Sequence, residues 1–504
     1  MSCRPTLAEV LAYAGDASHA VLSVSLLADT ETPISAFWKL CGGRSDSALL
    51  ESVEGGELMG RYSFMVCGAA ERFEFRDGRG QLRANGKINV LPVADPLTVV
   101  SDRLAAWSAW SPVDLPRFHG GAVGYLGFDC VRYFEDLPLP AADPLGLPEG
   151  VLLFADEVFA YDHLAHRLIA MVHAPLGGDR RAAWHAAVAR LEAAMGRLES
   201  GVGPPAQPWL FDASAERLAG EATLAPPRAN RSQADMEAAV AKAQQAIVAG
   251  EVFQVVVSQR LTVAARVEPF ALYRALRALN PSPYMFFFDF KDFAVVGASP
   301  EVLVRLEGEE LLVRPIAGTR RRGKDRAEDE RLAAELRDDQ KELAEHRMLV
   351  DLGRNDVGKV AAVGTVRVER PLHIERYSHV MHMVTDVHGR LAEGRDCFDV
   401  FRACFPAGTV SGAPKIRACE LLAQLEPERR GLYAGAIGYF GVGGDMDTCI
   451  AIRTLVVEPE AVHAQAGAGV VYDSVPEREH HECLDKAAAG LRAVELALAM
   501  GGRR

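Results

Sequence analysis

No run of about 18 apolar residues occurs in this chain, so no segment reads as a membrane-spanning helix. The first thirty residues scatter Arg4, Glu9, Asp16 and Asp29 among short apolar runs and lack the charged head and unbroken apolar stretch of a secretory signal. Nine cysteines are present without a CxxC pair, which disfavours a zinc site or a disulfide framework; they read as buried free thiols of a cytoplasmic protein in a reducing setting. An excess of positive charge is missing as well. Lys and Arg number 55 against 68 Asp and Glu, and the formal net charge of -13 disfavours nucleic acid or an anionic membrane as partners. The one dense basic run, Arg320-Arg321-Arg322-Gly323-Lys324, is too short to reverse that. Nucleotide signatures are also absent. No GxxxxGKS or GxxxxGKT occurs, and Gly467-Ala468-Gly469 has Tyr472 where a dinucleotide fingerprint needs its third glycine.

With 49% hydrophobic residues among 504, the chain can bury one large core or two to three ordinary ones. A passage rich in Gly, Pro and Ala over 201–231, with Gly203-Pro204-Pro205 and Ala225-Pro226-Pro227, reads as a linker between an N-terminal region, 1–200, and a C-terminal region, 232–504. Ser232 is placed to cap a helix bearing Met236, Val240, Ala243 and Ile247 at helical spacing, with Gly250 past its end. Strands are expected over 253–267 and 284–290, a hairpin over 302–306 and 311–316, and one long charged helix from Asp325 to about Leu352. Hairpin strands followed by helices predict an α+β fold built on antiparallel sheet. No internal repeat stands out.

Several local patterns have chemical potential. Glu342 with Glu345, and Glu479 with Glu482, lie three residues apart, so each pair shares one helical face. Facing helices of this kind offer oxygen ligands to Mg2+, although solvated helix faces carry such pairs by chance too. The Gly467-Ala468-Gly469 run reads either as a structural turn or as exposed amides able to bind an anion. Two histidines, His379 and His382, sit among apolar residues, where a histidine is a core group or a proton acceptor.

The motif order supplies more. Gln254-Val255-Val256-Val257-Ser258, Ala298-Ser299-Pro300-Glu301, Pro315-Ile316-Ala317-Gly318-Thr319-Arg320, Asp351-Leu352-Gly353-Arg354-Asn355-Asp356, the run from Phe405 to Lys415 and Gln465-Ala466-Gly467-Ala468-Gly469 resemble the signatures of the chorismate-utilising enzymes. Leu49-Leu50-Glu51-Ser52 and Gly60-Arg61-Tyr62-Ser63-Phe64 extend the resemblance into the N-terminal half. It implies a four-layer α/β/β/α sandwich of two stacked antiparallel sheets, with the two halves interleaved. It implies Mg2+ as cofactor, held by Glu345 and Glu482 with Glu342 and Glu479 supporting. Glu301 matches the general acid and His382 the active-site histidine, with Gln254 and Thr409 beside the chemistry. Gly318, Thr319, Thr409, Tyr433, Arg453, Gly467, Ala468, Gly469 and Lys486 match substrate-binding positions, and the planar fork of Arg453 suits a carboxylate.

Members of the family that add water carry a lysine base where this chain has Gln254, and para-directed members carry a nucleophilic lysine where it has Ala317. The resemblance therefore implies ammonia added ortho to the carboxylate of chorismate, then loss of pyruvate to leave anthranilate. A para-directed aminating enzyme and a non-catalytic ligand-binding regulator on the same fold remain as alternatives. Glu51, Ser52, Pro283, Tyr284, Met285, Ile437, Tyr439 and Cys449 match the family's pocket for tryptophan as a feedback inhibitor. No glutamine-hydrolysing segment and no cysteine in a glycine-flanked elbow are visible, so a small glutamine amidotransferase partner, in a heterotetramer, is expected to supply ammonia.

Overall fold

The structure, a computed structural model, describes residues 3–52, 60–204, 224–377 and 380–501. Among these residues, two large sheets of thirteen and twelve strands dominate; their pairings are antiparallel apart from His19–Leu27 against Ala109–Trp110. The first runs through Gln254–Ala264, Ala461–Val470, Thr454–Val457, Ala294–Ser299 and Tyr284–Asp289 into Ser47–Glu51, Tyr62–Val66 and the other N-terminal strands. The second runs from Ile316–Arg321 and Val380–Arg390 through Val302–Glu307, Met446–Ile450 and Ala436–Gly441 into Gly121–Leu126 and Gly150–Ala155. Phe64, Phe286 and Phe288 of the first sheet meet Tyr125, Leu153 and Ile437 of the second in one buried cluster, so the sheets stack face to face. Helices including Pro33–Cys41, Pro269–Leu279 and Pro476–Ala499 cover the outer face of the first sheet, and others including Pro96–Ala105 and Cys397–Cys404 cover the second. This is the four-layer sandwich expected for chorismate-utilising enzymes.

Both sheets take strands from both halves of the chain, which do not form separate layers or cores. Residues 205–223 of the expected linker lie outside the described residues, and its last part is an edge strand, Arg228–Ala229, followed by buried Arg231. Ser232 caps the Gln233–Val248 helix with a reciprocal capping box to Asp235. The single long helix expected after Asp325 is two helices, Arg326–Asp338 and Gln340–Gly358. Asp339 breaks it by leaving helical geometry and capping the second helix through the Lys341 and Glu342 amides. The cysteines need a correction as well. Cys41 and Cys67 form a disulfide, while the other seven are buried free thiols. The bonded pair comes from a helix end and a strand end 26 residues apart, a proximity that sequence spacing does not encode.

The two halves are joined in the second sheet where Gly438 of Ala436–Gly441 pairs with Gly124 of Gly121–Leu126. A Cβ on Gly438 would lie 2.0 Å from the Asp447 carbonyl oxygen, and one on Gly124 1.9 Å from that of Val151. Backbone fills the space on both sides, so neither contact can relax by turning a side chain. Gly438→Ala should therefore lower stability by at least about 2 kcal/mol, by forcing strands apart in a packed core. Denaturant unfolding of the two proteins measures this, and equal midpoints would show that the strands have room.

Candidate active site

One cavity of about 530 Å3 is built from the ends of several elements of both sheets. Gln254 and Val256 enter it from the first strand of the C-terminal region, Gln465, Gly467 and Gly469 from Ala461–Val470, and Ala317, Gly318 and Thr319 from Ile316–Arg321. His382 comes from Val380–Arg390, directly opposite Thr319 in the ladder. Glu342 and Glu345 come from Gln340–Gly358, and Glu479, Glu482 and Lys486 from Pro476–Ala499. The one-turn helix Gly408–Ser411 adds Thr409, and loops add Glu301, Tyr433 and Arg453. The catalytic, substrate-binding and metal positions read from the sequence thus line one cavity, with Ala468 as the exception.

The Gly467-Ala468-Gly469 run is strand rather than turn: it pairs with Ser258, Val257 and Val256 in the ladder, and Ala468 is buried in the helix-side core. A Cβ on Gly467 would lie 2.7 Å from the Tyr433 hydroxyl, and one on Gly469 2.6 Å from Gln254 Nε2. Both glycines therefore make room for side chains that line the cavity.

Burial dominates the electrostatics. Glu301 is buried, and desolvation raises its carboxyl to about 8, against the opposing effect of the Thr409 hydroxyl and Lys486. Burial also raises Glu345, which accepts a 2.9 Å hydrogen bond from Gln254 Nε2, and Glu479 beside Glu482. His382 is lowered by burial. Its Nδ1 lies 3.2 Å from the Gly318 carbonyl oxygen, which can only accept, so we assign the proton to Nδ1 and leave Nε2 as the free acceptor. Arg453 donates to the Lys486 carbonyl at 2.6 Å and has no carboxylate within ion-pair distance among the described residues. Lys486 donates to the Gly467 carbonyl and pairs with Glu482 at 2.6 Å. The cavity can accept an anion at Arg453 and Lys486 while keeping a neutral acid at Glu301.

Among the described residues no cluster of three or more His, Cys, Asp or Glu is compact enough to hold a metal ion. Four of the acidic residues of the cavity, Glu342, Glu345, Glu479 and Glu482, come from two helices, and Lys341 and Lys486 favour the charged form of Glu345 and Glu479. That donor set fits Mg2+, which binds through one or two carboxylates and completes its shell with water and substrate oxygens.

Outside the cavity, the eight positions matched to an effector pocket come from both sheets: Ile437, Tyr439 and Cys449 from the second, the others from the first or its strand ends. Tyr284 packs between the sheets with Ile437, Tyr439 and Cys449, and its hydroxyl donates to Asp447 at 3.0 Å. Met285 packs on the helix side, where the Glu51 carboxylate accepts from Tyr273 and from both Nε and Nη2 of Arg277. The buried Glu51 carboxylate thus already has a cationic partner, the half-buried guanidinium of Arg277. Ser52 follows it, and Pro283 precedes Tyr284, at the adjoining strand ends.

A model of chorismate binding enzymes matches residues 47–492. Anthranilate synthase component 1 of Thermus thermophilus is 47% identical over 94% of this chain and 97% of its own length, and that of Acetivibrio thermocellus is 43% identical over 97% and 98%. The crystal structure of anthranilate synthase component I from Streptococcus pneumoniae superposes with a TM-score of 0.73 at 33% identity, covering 92% of this chain and 98% of that one. The chain belongs to the chorismate-binding enzyme family.

Two features of this chorismate-binding enzyme escape a reading by motif. Lys341 lines the cavity one residue before Glu342, and charge alternation on an acidic helix gives no hint of it. Gln465 opens a recognised motif, yet nothing local shows that its Nε2 is spent on Ser258 Oγ at 2.9 Å.

The Glu301 proton gives the site a defined pH response. A folded chain keeps it to about pH 8, and an unfolded chain releases it in the ordinary carboxylate range, so stability from this group falls as pH rises between those limits. Turnover that needs the neutral acid should fall as pH passes about 8. Glu301→Gln should lose about 10²- to 10⁴-fold in kcat, as removal of a general acid does, while removing that pH-dependent part of the stability. pH–rate profiles and unfolding at about pH 6 and about pH 9 read both effects; wild-type kcat in the variant would rule Glu301 out as the acid.

Proposed function

We propose that the chain converts chorismate and ammonia to anthranilate and pyruvate, as the component 1 subunit of an anthranilate synthase. The observation that carries the reading is Gln254. Its Nε2 is committed to Glu345, and its Oε1 is buried without a hydrogen-bond partner in the cavity wall. A lone acceptor of this kind can receive an N–H of ammonia but cannot deprotonate water, and Ala317 supplies no competing nucleophile.

Arg453 and Lys486 would bind the carboxylates of chorismate, with Thr319, Tyr433 and Gly467 shaping the wall around the ring. Glu301, neutral below about pH 8, donates its proton to the departing ring hydroxyl, which leaves as water. Ammonia adds ortho to the ring carboxylate. Loss of a ring proton, with His382 Nε2 as acceptor, and release of the enolpyruvyl group as pyruvate restore aromaticity. Glu345 and Glu482, supported by Glu342 and Glu479, would hold Mg2+, which when bound offsets carboxylate charge on the substrate. A small glutamine amidotransferase would deliver the ammonia in a heterotetramer; in support, the seven free cysteines are all buried, which is unsuited to a glutaminase nucleophile. Tryptophan is the proposed inhibitor, at the sheet interface near Ser52, Pro283, Tyr284 and Met285.

With chorismate, Mg2+ and ammonium salts the isolated chain should make anthranilate, and with glutamine in place of ammonium it should make none. Chelation should abolish turnover. Glu345→Gln and Glu482→Gln should each weaken Mg2+ dependence by roughly ten- to a hundredfold, the value of a charge-assisted contact of about 1.5 to 3 kcal/mol. Isochorismate or para-aminobenzoate as main product would overturn the assignment.

Ser52→Phe should retain near-normal synthesis and lose sensitivity to tryptophan, by filling the effector space. In the wild type, coupling of about 1 to 3 kcal/mol would raise the apparent chorismate constant five- to 150-fold. Tryptophan titrations at subsaturating chorismate compare the two, and superimposable curves would place the effector elsewhere.

A further inference from the structure

Behind the cavity wall lies a buried ion pair that the proposed chemistry does not use. Glu426, at the end of the Lys415–Leu425 helix, and Arg430 are both buried and face each other through Arg430 Nε to Glu426 Oε2 and Nη2 to Oε1, each at 2.8 Å. Arg430 also donates from Nη1 to the Val410 carbonyl at 2.7 Å and from Nη2 to the Val256 carbonyl at 2.5 Å. Its guanidinium lies 5.5 Å from the centre of the Tyr433 ring. Glu426 Oε1 further accepts from the amide and the hydroxyl of Ser258, both at 2.9 Å, and the same hydroxyl receives Gln465 Nε2. Val256, Val410, Tyr433 and Gln465 all line the cavity.

We infer that Arg430 and Glu426 are positioning residues: one buried pair fixes the Gln254 strand, the short helix bearing Thr409, the Tyr433 ring and the Gln465 amide relative to one another. The geometry requires a guanidinium. Only a planar fork reaches a carboxylate with two parallel bonds and two carbonyls on separate elements at once; an ammonium at the same place can meet at most part of that set. Glu426 in turn needs both oxygens, one shared between Ser258 and Arg430 and the other on Arg430. Neither Arg430 nor Glu426 lines the cavity, so the pair acts through what it holds. Val410 follows Thr409, whose hydroxyl faces Glu301, so release of the Val410 carbonyl moves a group beside the acid.

The inference rests on the chorismate reading, and the unsubstituted protein supplies the control: if it does not turn chorismate over, that reading fails, whereas failure of the clamp appears only in variants. Arg430→Lys keeps the charge and loses the fork. Measured per folded molecule, at a temperature where circular dichroism shows both proteins folded, its kcat should fall about a hundredfold, the effect of a displacement of order 1 Å at a reacting centre. Ser258→Ala keeps the Arg430 fork and the Ser258 amide on Glu426 and removes only the hydroxyl that links Glu426 to Gln465, so it should raise KM for chorismate with kcat within about twofold, an interaction felt equally in ground and transition states. Glu426→Gln is the second variant should Arg430→Lys not fold, and it should lower kcat in the same sense. A merely structural pair would lower melting temperature and folded fraction without touching kcat or KM per folded molecule. Wild-type constants in folded Arg430→Lys or folded Glu426→Gln would overturn the inference.

Discussion

The ladder between Gln254–Ala264 and Ala461–Val470 has to admit side chains across the surface that its own residues would otherwise cover. Gly467 lies under the Tyr433 hydroxyl and Gly469 under the Gln254 amide, each leaving less space than a Cβ requires. Strand alternation then sends Ala468, between them, to the opposite face and into the helix-side core. The rest of the site depends on this arrangement. Gln254 reaches Glu345 on the Gln340–Gly358 helix by crossing Gly469, and Tyr433 closes the wall by crossing Gly467. The Gly467 carbonyl turns out of this ladder to accept from Lys486, which with Arg453 brings positive charge to the same wall.

Those two cations and the acids across from them are held in an unfinished electrostatic state. Arg453 sits at a left-handed φ of 51°, a strained geometry for a side chain of its size, and is satisfied by a backbone carbonyl rather than a carboxylate. Glu301 meets its burial by staying neutral, while Glu345 keeps one oxygen on a neutral amide. A dianionic ligand entering this space supplies the counter-charge the guanidinium lacks, and a divalent cation does the same for the carboxylates. Desolvation, which makes each of these groups costly alone, is what makes them strong when the complementary charge arrives.

The parts of this arrangement legible in the sequence were those fixed by local rules or by long motifs. Ser232 with Asp235 announced a helix start, and the hairpin over 302–313 followed from its turn residues. Glu342 with Glu345, and Glu479 with Glu482, sit on helices at the spacing that puts each pair on one face. What failed depended on tertiary context. The Gly-Ala-Gly run has the composition of a turn, and only its neighbours Tyr433 and Gln254 explain it as strand. Asp339 ended a helix inside a continuous charged pattern because its carboxylate could cap the next one. The Cys41–Cys67 bond and the Glu51–Arg277 pair join residues 26 and 226 positions apart, beyond the reach of any spacing argument. His379 lies outside the described residues.

Glu301 stands at the crossing between the sheets, and that location bears on regulation. Ala294–Ser299 belongs to the first sheet and Val302–Glu307 to the second, so the acid occupies the short link between them. On one side, Ser299 pairs with Tyr284 and Ala298 with Met285. On the other, Val302 pairs with Cys449, and the Ile450 amide donates to the Glu301 carbonyl at 3.0 Å. The residues matched to the effector pocket are thus bonded, through backbone, to both flanks of the acid. The proposed effector, seated between Tyr284 and the strand bearing Ile437 and Tyr439, would press on the sheets at the place where Glu301 spans them. Packed sheets resist continuous deformation, so the strands would carry such a wedge toward the acid as units. Coupling of the proposed effector place to the acid would then need no chain of intermediaries beyond two ladders and one carboxylic acid.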